Sequence, residues 1–211
     1  MKYPITISNS DLISQGKDKA GINWGQAIVG SLIMVIVSGV VGVIPFALGS
    51  LLLAGPLGLG YAIWALKIVR EDDFKLDHLF DGFKNFGNAL STYLLNVLLI
   101  LLWSLLLIVP GIIKALAYSQ ALYVLADEPE IGPMDALKKS EAMMNGNKVK
   151  YFLLGLIFML LSFACVLTLG IGFLFLLPVM QITLANFYNE VKMNYTGEDR
   201  INEIEQIGEG E

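Results

Sequence analysis

The 211-residue chain has one cysteine, one histidine and little charge, and each scarcity removes a class of function. Cys165 by itself allows no intrachain disulfide, and it lies in an apolar run with no charged neighbour to activate its thiol. His78, beside Asp77, lacks the companions that a metal site or a nucleophile triad needs. Charged residues make up 16% of the chain, against about a quarter in soluble domains. A basic footprint for nucleic acid is missing. The formal net charge of −5 owes much to the stretch after Gly197 (Glu198, Asp199, Glu203, Glu205, Glu209, Glu211) and so says little about the rest. Residues Met1 to Trp24 lack the short apolar core and small-residue cleavage site of a secretory signal, so the first span is expected to direct insertion itself. Gly55-Pro56-Leu57-Gly58-Leu59-Gly60 is not a phosphate loop, because no strand precedes it and no Lys-Ser/Thr follows.

What the chain has in abundance is apolar length. Hydrophobic residues are 55% of it. Leu94 to Val109 carries no charge, and with Asn88 to Thr92 ahead of it the limb reaches the roughly 20 helical residues that cross about 30 Å of hydrocarbon. Pro110-Gly111 is expected to break the helix, and Ile112 to Ala126 to return, closing at Asp127-Glu128-Pro129-Glu130. An earlier span is expected from about Gly25 to Ile44. Phe46 to Arg70 has two readings: a single kinked span, or a separate segment from Phe46 to Ala54 with Pro56 opening the span. Tyr151 to Thr168 goes across, Gly170-Ile171-Gly172 turns, and Phe173 to Tyr188 comes back.

Three stretches are amphipathic instead: Asp11 to Lys19, Phe74 to Leu90 and Met134 to Asn145. Each is too short and too charged to span, and is expected to lie in the membrane interface. A polar segment, an outward limb, a charge-free turn and a return limb thus recur three times. Lysines and arginines near span ends all fall opposite the charge-free turns, which by the positive-inside rule puts both termini in the cytoplasm. The expected architecture is all-α and polytopic in the cell membrane, with six transmembrane helices as three hairpins and amphipathic interfacial helices. Residues 1–24 form a cytoplasmic amphipathic segment, 25–188 the membrane domain, and 189–211 an acidic cytoplasmic tail.

Several stretches from Leu76 onward resemble a bacterial integral-membrane family, domain of unknown function 975. They are Leu79-Phe80-Asp81-Gly82-Phe83, Leu105 to Lys114 around Pro110-Gly111, Ala117-Tyr118-Ser119-Gln120, Asp135 to Ser140, Met144 to Lys148 and Leu167 to Gly172. Pro178 and Phe187-Tyr188 complete the pattern. The resemblance implies a membrane protein and brings no catalytic residues with it. The chain is also distantly similar to the membrane-embedded domain that precedes some glycerophosphodiester phosphodiesterases, which implies a lipid-related role.

Candidate contacts are few. Lys114 is an ionisable residue inside a span, where an ammonium costs roughly 2.5–3.5 kcal/mol at the bilayer centre. Its stem can snorkel to the outer surface, or the charge can meet a ligand. Tyr118 shares its face. Asn96, Gln120 and Gln181 are neutral polar groups in lipid, expected to bond between helices or, if they converge, to line a polar path. Lys138, Lys139, Lys148 and Lys150 can meet anionic headgroups, at about 1 kcal/mol each, or simply fix topology. No cofactor, metal or catalytic set is expected. The leading expectation is a non-enzymatic module binding membrane lipids, a partner protein or a second copy. The alternative is a small transporter or channel with a polar path lined by the third to sixth spans.

Overall fold

A computed structural model describes the backbone of residues 4–22, 24–43, 47–70, 75–168 and 170–208, and side chains over 4–22, 24–39, 51–70, 75–168 and 170–197. Among these residues the chain is all-helical: α1 (Asn9–Ile22), α2 (Trp24–Val43), α3 (Ala47–Val69), a 3₁₀ segment (Leu76–Asn85), α4 (Phe86–Leu106), α5 (Ile108–Tyr118), α6 (Ala121–Asp127), α7 (Pro133–Met143), α8 (Lys148–Leu167) and α9 (Phe173–Gly208). Among the described residues four helical stretches are long and apolar enough to cross a membrane: Leu51–Val69, Leu76–Leu106, Ile108–Asp127 and Lys148–Leu167. The count reaches five if α1 and α2, which meet at 102°, serve as one broken span.

The hub is α3. The 3₁₀ segment, α2, α4, α6 and α9 all pack on it, and small residues let them come close. A Cβ on Gly60 would collide with the Leu79 carbonyl oxygen, and one on Gly82 with the Pro56 carbonyl oxygen. Trp64, fully buried, lies over Gly30 of α2. Pro56 does not open a new helix: α3 runs continuously through it from Ala47. This stretch is therefore one continuous helix rather than two segments divided at Pro56, and Phe46 itself lies outside the described residues.

The break in the central hairpin falls earlier than Pro110-Gly111. Leu107 is extended (φ −161°, ψ 142°), and Pro110 sits in the first turn of α5. The proline ring excludes a helical carbonyl four residues back, which is Leu106, so α4 must stop there. Within a first turn, the missing proline N–H has no partner to lose. Gly111 is needed because a Cβ there would strike Ser104 of α4.

The return limb is also interrupted, at Ser119-Gln120. The Ser140 hydroxyl of α7 enters this break, donating to the Ala117 carbonyl (2.7 Å) and accepting from the Gln120 N–H (3.1 Å). A side chain inserted into a helical ladder kinks it while keeping the backbone groups satisfied.

The amphipathic segments differ from expectation in where their apolar faces go. Leu12, Gly16 and Ala20 of α1 are buried, with α1 lying along α9. Leu79 and Gly82 face α3, and Ala136, Leu137, Ser140 and Met143 of α7 are buried. Protein covers these residues, whereas Phe80, Phe83, Phe86 and Met134, on the same stretches, stay exposed. The stretch from Asn189, expected to be a polar tail, continues α9 as far as Gly208.

Candidate functional site

Two charged clusters stand out against this apolar background. The first is built on Asp127, the last residue of α6, whose side chain is only 6% exposed. Arg70, just past α3, grips it with both terminal nitrogens at 2.6 and 2.9 Å. Lys192 of α9 donates to its Oδ2 at 2.6 Å, and the Tyr188 hydroxyl donates to the same oxygen at 2.9 Å. Arg70 also donates to Oδ1 of Asn189 at 3.2 and 2.9 Å. A buried carboxylate is tolerable only with such pairing, and bidentate arginine is the strongest form of it. The Tyr188 ring stacks on Tyr123 of α6, centroids 5.4 Å apart, so apolar packing holds the hydroxyl in place. Three helices are thereby tied at one point.

A cavity of about 460 Å³ opens beside this node, bounded by Gln15 and Lys19 of α1, Arg70, and Asn186, Asn189, Glu190, Lys192 and Met193 of α9. The Lys19 ammonium bonds the Val69 carbonyl, which caps the end of α3. Asn186 donates to Gln15 Oε1 at 2.6 Å.

The second cluster surrounds Lys114. Its ammonium lies 2.6 Å from Glu141 Oε1 of α7. It also lies 5.2 and 5.4 Å from the ring centroids of Trp103 and Tyr118. Carboxylate and two π faces together replace much of the hydration that an ammonium loses on partial burial. Lys114 thus points to a partner inside the protein rather than snorkelling outward.

The remaining residues singled out from the sequence are dispersed. Gln120 is fully buried and donates to Ser119 Oγ at 2.9 Å. Its Oε1, like Asn96 Oδ1 and Thr92 Oγ1, is buried without a hydrogen-bond partner. Gln181 lines a separate cavity of about 300 Å³ with Ser31, Ser38 and Tyr61. No cavity described gathers Asn96, Lys114, Tyr118, Gln120 and Gln181. Among the lysines, Lys138 is exposed and 3.6 Å from Asp135, Lys139 pairs with Glu128, and Lys150 donates to the Ile5 carbonyl at 2.9 Å. Lys148 opens α8. Among the described residues no group of three or more His, Cys, Asp or Glu side chains could hold a metal ion.

Sequence reasoning missed the Asp127 node. Asp127 stood only as a helix terminator, and Arg70 and Lys192 only as topology markers. The partners lie 57 and 65 positions from it. The available signal was a charge at the end of each apolar limb.

These clusters lie largely in the second half of the chain. Over residues 105–195 the chain matches the family described as Protein of unknown function (DUF975). The match takes in Lys114, Asp127, Glu141, Tyr188 and Lys192, while Gln15, Lys19 and Arg70 precede it. Leu79 to Phe83, which carried part of the resemblance, also precedes it. No curated protein matches the chain, and no solved structure does.

Proposed function

We propose that the protein is a non-enzymatic, multi-pass module of the cell membrane that binds membrane lipid at its cytoplasmic face. Six spans form three hairpins, with both termini cytoplasmic. The observation that carries the reading is the separation of apolar from charged surface. Leu101, Leu102, the run Leu105–Val109, Leu160, Phe163, Val166 and Leu167 are all exposed, while Asp127, Arg70 and Lys192 gather where α3 and α6 end. An apolar surface of this extent is stable in acyl chains and not in water. Charge near the spans' other ends suits a headgroup layer.

Membrane lipid is favoured over a partner protein because Leu12 and Ala20 of α1 and Leu137 and Met143 of α7 are already buried within the chain, while the exposed rings of Phe80, Phe83 and Phe86 suit an interfacial layer. The test is native mass spectrometry of the full chain released from vesicles of phosphatidylcholine with phosphatidylglycerol. Retained lipid enriched several-fold in phosphatidylglycerol is the expected result. Retention in the vesicle ratio would overturn the reading.

A small transporter or channel is the second reading, and the unpartnered polar atoms of Thr92, Asn96 and Gln120 favour it. Solute flux in liposomes that disappears on replacing Asn96, Lys114, Gln120 and Gln181 would move it ahead.

A further inference from the structure

We propose that the cavity between α1, the end of α3 and α9 is a binding site for a phosphate group, carried by a lipid headgroup or by a free phosphate ester. The lipid source rests on the reading above; the site itself does not.

The argument begins with charge. Lys19, Arg70 and Lys192 reach this cavity from three elements far apart in sequence. Like charges converging on a wall repel, and with Asp127 and Glu190 both counted the three cations still leave one net positive charge here. Counted over the described residues that line the cavity, Glu190 is the only acid. Asp127 lies behind the wall, buried, and is shared between Arg70 and Lys192.

Preorganisation is the second part of the argument. Arg70 is clamped by Asp127 and Asn189, Lys192 by Asp127, and Lys19 by the Val69 carbonyl. Cations already held in place lose little side-chain entropy when an anion arrives. With its fork already engaged by Asp127 and Asn189, the Arg70 guanidinium contributes positive potential, and the Lys19 and Lys192 ammonium groups beside it add point charges. Gln15, Asn186 and Asn189 supply neutral hydrogen-bonding groups around the rim. At about 460 Å³, the volume is that of a small-molecule site.

Two substitutions test the site while leaving the Asp127 node untouched. Gln15→Glu keeps an acceptor for the Asn186 amide and adds a negative charge to the cavity. Glu190→Gln removes one. The full chain in phosphatidylcholine nanodiscs is titrated with short-chain phosphatidylglycerol and, separately, with glycerol phosphate. Q15E is expected to weaken binding about fivefold or more and E190Q to tighten it by a similar factor, as one charge near a headgroup layer implies. Binding of phosphatidylglycerol that glycerol phosphate does not displace identifies a lipid ligand, and binding of glycerol phosphate by itself identifies a free ester. Affinities unchanged in both variants, with helical circular dichroism retained, would overturn the site. If only the joint neutralisation of Lys138, Lys139, Lys148 and Lys150 abolishes phosphatidylglycerol binding, the lipid-binding reading survives and the cavity site does not. No binding of either probe sinks the site as well.

Discussion

The apolar stretch of α3, Leu51–Val69, and the whole of α8, Lys148–Leu167, are nearly the same length and both read from sequence as membrane spans. Yet 61% of the first is buried inside the protein and only 11% of the second. Hydrophobicity therefore does not distinguish a helix at the centre of a protein from one facing lipid. Close approach does. The glycines of α3 sit against the backbone or side chains of neighbouring elements at Gly55, Gly58 and Gly60. Gly155 of α8 has open space where a Cβ would go. In a bilayer, helices associate through such small-residue contacts, since lipid is as apolar as leucine.

The contrast can be strained by mutation, beginning with its strongest element. Asp127→Asn leaves Arg70 and Lys192 without their shared carboxylate, and losing one partner of a buried pair costs about 3–5 kcal/mol. Thermal unfolding in detergent should register a large fall in Tm. A change no greater than that of the exposed Lys84→Gln would mean that the node does not hold the helices together.

A leucine pair compares the two regions directly. Leu59 of α3 is 1% exposed and Leu160 of α8 is 65% exposed. Leu59→Ala should cost about 2–5 kcal/mol, and Leu160→Ala under about 1 kcal/mol. Equal losses would erase the distinction between the helices. Glycines sharpen it next: Gly60→Ala forces a methyl against the Leu79 carbonyl and should cost about 1–3 kcal/mol or more. Gly155→Ala should be neutral, or stabilise by up to about 1 kcal/mol through helix propensity. An effect comparable to that of Gly60→Ala is expected at the kink in the return limb. Ser140→Ala strips the Ala117 carbonyl and Gln120 N–H of their shared partner, and about 1–3 kcal/mol should follow. Hydrogen exchange at Gln120 should rise with it; an unchanged rate would argue that another group fills the break.

Much of this architecture was legible because it follows from local rules. The ends of α2, α7 and α8 fall within a few residues of the apolar and amphipathic boundaries, where charges and Asn-Gly-Asn stop the pattern. Pro110 marked the hairpin, although its steric reach set the break at Leu107 rather than at the proline itself. Pro56 misled in the opposite sense. Pro56 deprives the Leu52 carbonyl of its helical donor, yet α3 continues through it, with the 3₁₀ segment packed directly against the following turn. The charged clusters were not legible. Nothing local pairs Arg70 with Asp127, or Lys114 with Glu141 across 27 positions. Periodicity places a charge on a face but does not say what covers that face, so the apolar sides of α1 and α7 read as free for lipid.

The tryptophans allow the central contrast to be measured in one experiment. Trp64 of α3 is fully buried, whereas Trp103 near the end of α4 is 38% exposed among apolar residues. Single-tryptophan versions of the full chain, with the others replaced by phenylalanine, would be reconstituted in bilayers of acyl-brominated lipid. Strong quenching of Trp103 with little quenching of Trp64 is the expected result. Equal quenching of the two, or stronger quenching of Trp64, would contradict the account: α3 would then be a lipid-facing span, and not the hub on which the other helices pack.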